Sequence, residues 1–267
     1  MSDGNAAPVD RVVLTRPEGA NDALRAALLA ARPPGMSAAF CDYSLLRILP
    51  LDPGELLAAL AAMQASDLVV FVSPRAVSMA GAIRPLHEWP GARVAAVGEA
   101  TGRALAEAGR PADFLPDGSE DSEGLLERLA QVEMRGRTVW IVRGETGRGL
   151  LAERLAERGA RPVFVPVYRR ECAGCSDDAV VRRSGPGTVW VMTAPQAIEC
   201  LAALAHANRA GLLDSTLVVI NERARDRARE FGFKGEIAVA GGPSPEMLAR
   251  AVWDVVGRRA TAGRGLQ

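Results

Sequence analysis

Short runs of apolar residues alternate along this chain with longer stretches in which apolar positions recur at helical spacing. The runs fall at residues 12–15, 38–41, 68–72, 94–97, 112–115, 139–142, 163–167, 189–192, 217–220 and 237–239. Each is the length of a strand and is followed by a turn and usually by a helix-period segment. This order predicts an α/β fold with mostly parallel sheets covered by helices on both faces. Helix starts carry recognisable caps. Ser122 precedes EGLLERL, and Ser244 precedes PEMLARAV with a proline at the first helical position.

The pattern also repeats itself. The segment 137–170 has the layout of 11–47: an apolar run ending in arginine, a turn, an amphipathic stretch and a second apolar run. DLVVFVSPRAV at 67–77 answers GTVWVMTAPQAI at 187–198, and VAAVGEATGRALAEAG at 94–109 answers LVVINERARDRAREFG at 217–232. The order of these matches implies two similar domains, one inserted into the other. Residues 1–44 and 170–267 are expected to form the first and 47–167 the second. Crossings near 45–51 and 166–171 would permit a hinge, and two such domains would make a cleft, the usual place for a ligand. Residues 258–267 are rich in Gly and Arg without apolar periodicity and are expected to be a disordered tail.

Composition narrows the chemistry. The 267 residues include 32 basic and 32 acidic side chains, so formal charge is zero and points to neither nucleic acid nor membrane. No cationic start precedes an apolar stretch at the N-terminus, and no run approaches spanning length, so a cytoplasmic location is expected. Lys234 is the single lysine, so no Walker-type phosphate loop can be written, and Gly144, Gly147 and Gly149 have the wrong spacing for a dinucleotide fingerprint. His87 and His206 do not lie at strand ends, and a surface or packing role is expected for both. Cys41, Cys172, Cys175 and Cys200 read as free thiols in a reducing compartment. Cys172 and Cys175 form a C-x-x-C, but Cys200 and His206, the remaining ligands for zinc, diverge around one helix; no metal site is expected.

In open parallel sheets, ligands gather at the carboxyl ends of strands, where helix N-termini present backbone N–H groups. Those ends carry Arg16, Ser73, Arg75, Gly98, Thr101, Arg143, Gly144, Thr193, Gln196 and Arg223. Hydroxyls, glycines and arginines recur there in both halves and suit a ligand bearing many carboxylates. For Ser73, Thr193 and Gly98 singly, a role as cap or turn former serves as well.

These same segments carry a resemblance. VVLTRP, FVSPRAV, AVGEATGRAL, WIVRGETGRGLLAERLAERGA followed by VPVYRR, and VMTAPQAIECL resemble the successive motifs of uroporphyrinogen-III synthase, over about residues 11–256. The resemblance implies two α/β domains joined by a two-stranded linker. It implies a lyase of tetrapyrrole biosynthesis that cyclises hydroxymethylbilane to uroporphyrinogen III with inversion of the last pyrrole ring, using no metal or organic cofactor and acting as a monomer. Tyr168, in VYRR, resembles the family's cleft tyrosine, and Thr101 a threonine of its active-site loop. Those two are the catalytic candidates; Arg16, Ser73, Arg75, Gly98, Arg143, Gly144, Thr193, Gln196 and Arg223 are the substrate-binding ones. Two departures stand out: Asn221-Glu222-Arg223-Ala224 replaces a Gly-Pro-Thr type turn, and Thr193 is followed by Ala194 where serine is common. A catalytically silent paralogue, acting as a ligand-binding or regulatory module, would keep the fold and lose the site. An exported binding protein of two hinged lobes would carry a signal segment.

Overall fold

The computed structural model describes residues 9–17, 19–117, 122–147, 149–173, 184–208 and 210–264. Two five-stranded sheets form. The first contains β1 (Arg11–Leu14), β2 (Ala39–Asp42), β8 (Thr188–Met192), β9 (Thr216–Val219) and β10 (Ile237–Val239), in the order β10-β9-β8-β1-β2. Every pairing in it is parallel, with Val12 beside both Phe40 and Val189. The second contains β3 (Leu46–Pro50), β4 (Leu68–Phe71), β5 (Arg93–Ala96), β6 (Thr138–Gly144) and β7 (Arg161–Cys172), in the order β3-β7-β6-β4-β5. The described residues of Met1–Arg47 and Glu171–Gln267 gather around the first sheet, and those of Ile48–Arg170 around the second.

Burial explains why the strands read as unbroken apolar runs. In the first sheet Val12, Leu14, Val189, Val191 and Val218 pack on one face against α1 (Asp22–Ala30) and α9 (Pro245–Arg264). Val13, Trp190, Met192, Leu217 and Val219 pack on the other, against α7 (Pro195–Asn208) and α8 (Glu222–Glu230). Side chains alternate along a strand, so covering both faces requires every position to be apolar. The second sheet follows the same rule. Val69, Phe71, Val94, Ala96 and Val142 face α2 (Gly54–Ala62), α3 (Pro74–Ile83) and α4 (Glu99–Glu107), while Val70, Ala95, Val139 and Ile141 face α5 (Ser122–Arg128) and α6 (Leu150–Glu157). Asp67 accepts a 2.9 Å bond from Trp140 Nε1 and another from the Gln64 amide, tying the start of β4 to β6.

Four expectations change. Residues 112–115 make only a single parallel bridge, Ala95 to Phe114, because Pro111 and Pro116 withhold the N–H groups a longer ladder needs. The segment 45–51 also supplies a strand, β3, which was not among the expected apolar runs. The tail is helical: α9 runs to Arg264. Arg258 pairs with Glu236 at 2.7 Å, and the buried Arg259 binds Glu236 at 3.2 Å and the Pro186 carbonyl. Charged anchors at the rim of the sheet thus fix a stretch that lacks an apolar stripe; residues 265–267 lie outside the described residues.

Cys172 and Cys200 are not free thiols. They form a disulfide, with Cα atoms 5.4 Å apart, between the end of β7 and the buried face of α7. Cys41 is a free thiol, and Cys175 lies outside the described residues. Among the described residues no group of three or more His, Cys, Asp or Glu is placed to hold a metal ion, and no helix is long and apolar enough to cross a membrane.

Candidate functional site

A β-bulge separates Arg143 from Gly144 where β6 meets β7, so that Arg143 pairs with Pro166 but Gly144 with Tyr168. A bulge re-aims the side chains that follow it. Here Val167 and Tyr168, which would alternate in a regular strand, both join the cluster on the α3 and α4 side. The Glu145 amide donates to the Tyr168 carbonyl at 2.8 Å and fixes the new register.

The carboxyl end of this pair opens into a cavity of about 220 Å³ whose lining includes Ser73, Arg143, Gly144, Gly147, Tyr168 and Arg170. Tyr168 is buried, its ring seated directly over Gly144. A Cβ at position 144 would lie 2.8 Å from the ring carbons and 3.2 Å from the hydroxyl. Arg170 Nη2 lies 3.4 Å from Tyr168 Oη and donates to it, which leaves the phenolic hydrogen directed to another acceptor. Arg143 is also buried. Its Nε donates to the Gly144 carbonyl at 3.0 Å, and its guanidinium carbon lies 4.7 Å from the centre of the Phe164 ring. Burial lowers the Arg143 pKa from the ordinary arginine value, and the neighbouring Tyr168 acts in the opposite direction.

The cavity therefore gathers four of the sequence candidates, Ser73, Arg143, Gly144 and Tyr168. Ser73 is at the same time the N-cap of α3, its hydroxyl accepting from the Ala76 amide at 3.2 Å. Arg75 follows it in the first turn of α3, partly buried. Gly98 is the N-cap of α4, and Thr101, 4% exposed, lies within that helix. Both stand at the end of β5, on the far side of β4 from β6, and do not line the cavity. Phe164, Arg170 and Thr146 line it and were not among the candidates.

The first sheet presents a comparable row of strand ends. Arg16 follows β1; it donates to the Pro243 carbonyl at 3.1 Å, and Ser44 Oγ donates to its carbonyl at 3.0 Å. Burial lowers its pKa also. Thr193 and Gln196, both partly buried, follow the adjacent strand β8, and Arg223 stands exposed on α8 beyond β9. In the departed turn, Asn221 caps α8 by accepting from the Ala224 amide at 2.9 Å. His87 and His206 are both exposed. Chemically, the described strand ends offer guanidinium groups, amides and one phenol, a set suited to holding carboxylates and donating a proton or hydrogen bond.

Comparison with known proteins agrees with this chemistry. Residues 35–249 match the family model described as Uroporphyrinogen-III synthase HemD. A uroporphyrinogen-III synthase of Salmonella typhimurium is 33% identical over 90% of this chain and 99% of its own length. One from Escherichia coli is 30% identical over 77% and 87%. Two solved structures share the fold at low identity. A uroporphyrinogen-III synthetase of Helicobacter pylori has a TM-score of 0.58 and 15% identity over 92% of this chain and 100% of that one. A mutant uroporphyrinogen III synthase of Thermus thermophilus has 0.53 and 19% over 95% and 99%. With most of its length matched by the family model and nearly the whole of one relative aligned to it, the chain belongs to the uroporphyrinogen-III synthase family.

Proposed function

We propose that this chain is a lyase that cyclises hydroxymethylbilane to uroporphyrinogen III. The observation that carries this reading is the cavity at the β6–β7 bulge, where a buried arginine and a buried tyrosine meet in a chain of this family. The substrate is a linear tetrapyrrole with eight carboxylates, and it closes by itself to the unrearranged type I ring. To obtain type III, loss of the substrate hydroxyl as water must be followed by attack through the substituted position of the last pyrrole. The resulting spiro intermediate fragments and recloses with that ring inverted. Control of geometry is the main requirement.

Arg143, with Arg16, Arg75 and Arg223 at other strand ends, supplies guanidinium groups for carboxylates. Amides near Gly98, Gly144, Ser73, Thr193 and Gln196 add neutral donors. Tyr168 carries a phenolic hydroxyl that can both donate and accept. With Arg170 donating to its oxygen, it is set to donate its hydrogen to the departing hydroxyl. Thr101, within α4 and outside the cavity, is the second hydroxyl of the proposed catalytic pair. We further propose that residues 47–167 are an insertion into the domain made by 1–44 and 170–267, and that the protein works as a cytoplasmic monomer without metal or cofactor.

The test is the isomer formed. Purified protein given fresh hydroxymethylbilane in the presence of a chelator is expected to yield mainly type III, and Arg143→Ala is expected to let the type I fraction rise. Only type I, at the spontaneous rate, would overturn the reading and leave a silent paralogue in its place.

A further inference from the structure

Phe164 has no packing reason to be aromatic. It is 48% exposed and joins none of the core clusters, between Val163 and Val165 in β7. Its ring instead forms a floor beneath the Arg143 guanidinium, at a distance suited to cation–π attraction. On another side of the same guanidinium the chain passes at Gly147, whose φ of +152° is one that side chains rarely tolerate. A Cβ there would clash with Arg143 Nη2. With Nε held by the Gly144 carbonyl, ring, loop and carbonyl together define one place for the guanidinium plane.

An arginine on a flexible stem loses rotamer freedom when it captures an anion, and fixing it beforehand removes that cost from binding. We propose that Phe164 and Gly147 are positioning residues that pre-set Arg143 to receive one carboxylate of the substrate. This rests on the synthase reading above and adds two residues that touch the arginine and not the reacting atoms. An aliphatic residue at 164 keeps the strand but removes the π face; tyrosine keeps both. Alanine at 147 both strains the backbone and displaces the guanidinium.

The experiment combines kinetics with a readout independent of turnover. Phe164→Leu is expected to raise KM for hydroxymethylbilane about three- to tenfold, with kcat within about twofold of wild type. Phe164→Tyr should restore wild-type KM, and Gly147→Ala should raise KM at least as much as Phe164→Leu. In an Arg143→Ala background Phe164→Leu should add nothing. In the free protein, nitrogen-15 NMR should show a sharp, slowly exchanging Arg143 Nε–H signal that broadens in Phe164→Leu and not in Phe164→Tyr. An unchanged signal in Phe164→Leu, or an unchanged KM, or an equal KM penalty with and without Arg143, would overturn the positioning role while leaving the synthase reading intact. Wild-type protein that forms only type I ends the substrate assignment, and the NMR result then decides separately whether Phe164 holds the arginine.

Discussion

Tyr168 concentrates several constraints in one side chain: a bulge turns it, Gly144 makes room for its ring, and Arg170 donates to its oxygen. Losing a single hydrogen-bond donor in such a setting costs about 1 to 3 kcal/mol, so Tyr168→Phe is expected to lower kcat roughly ten- to a hundredfold while KM stays near wild type. Steady-state kinetics with a melting curve checks this. A Tyr168→Phe protein of full activity would remove the phenol from the mechanism. At this scale residue type was legible and facing was not. Arg143, Gly144 and Ser73 stand out in sequence because arginine, glycine and hydroxyl groups cluster after apolar runs, and Tyr168 through the resemblance that VYRR carries. Phe164 did not, since an aromatic inside a strand reads as core, and nothing local reveals a register shift that depends on the neighbouring strand.

Elements depend on partners distant in the chain, and the last turns of α9 illustrate this. Arg258 and Arg259 both reach Glu236, yet the side chain of Arg258 is 57% exposed and that of Arg259 only 9%. An exposed ion pair contributes about 0 to 1 kcal/mol, whereas removing one member of a mostly buried, hydrogen-bonded set leaves its partners unpaired. Arg259→Ala is therefore expected to cost about 1 to 3 kcal/mol and lower the melting temperature by several degrees, with Arg258→Ala close to wild type. Equal effects in calorimetry would show that burial does not separate the two. The same dependence explains why sequence misread this stretch as a tail and missed β3. Periodicity detects an apolar face, while the last turns of α9 are held by charges and the Leu46–Pro50 strand by its place beside β7. The Cys172–Cys200 link was missed for a related reason: compartment chemistry argued for free thiols, and only folding brings a strand end and a helix within 5.4 Å.

At the scale of the molecule, the repeat in sequence reappears as a repeat in topology. In the first sheet β10, β9, β8, β1 and β2 lie in sequence; in the second, the Phe114 bridge, β5, β4, β6 and β7 occupy the corresponding places, with β3 added at the edge. The matched segments of the chain are thus matched strands, β1 with β6, β8 with β4 and β9 with β5. Each unit also keeps its own core. Two apolar clusters are drawn entirely from residues 48–168, and the other two from residues 9–46 and 189–256. A segment that shares no core cluster with the rest carries its stabilising burial with it. Expressed alone, residues 48–170 are accordingly expected to fold into a monomeric α/β unit with a single cooperative thermal transition, because the core of its five helices, of β4, β5 and β6 and of most of β3 and β7 draws on no residue from outside. Circular dichroism, size exclusion and dye binding would measure this. A fragment with native-like helix content that melts gradually and binds a hydrophobic dye would mean that its core is incomplete, and would count against a self-contained insertion.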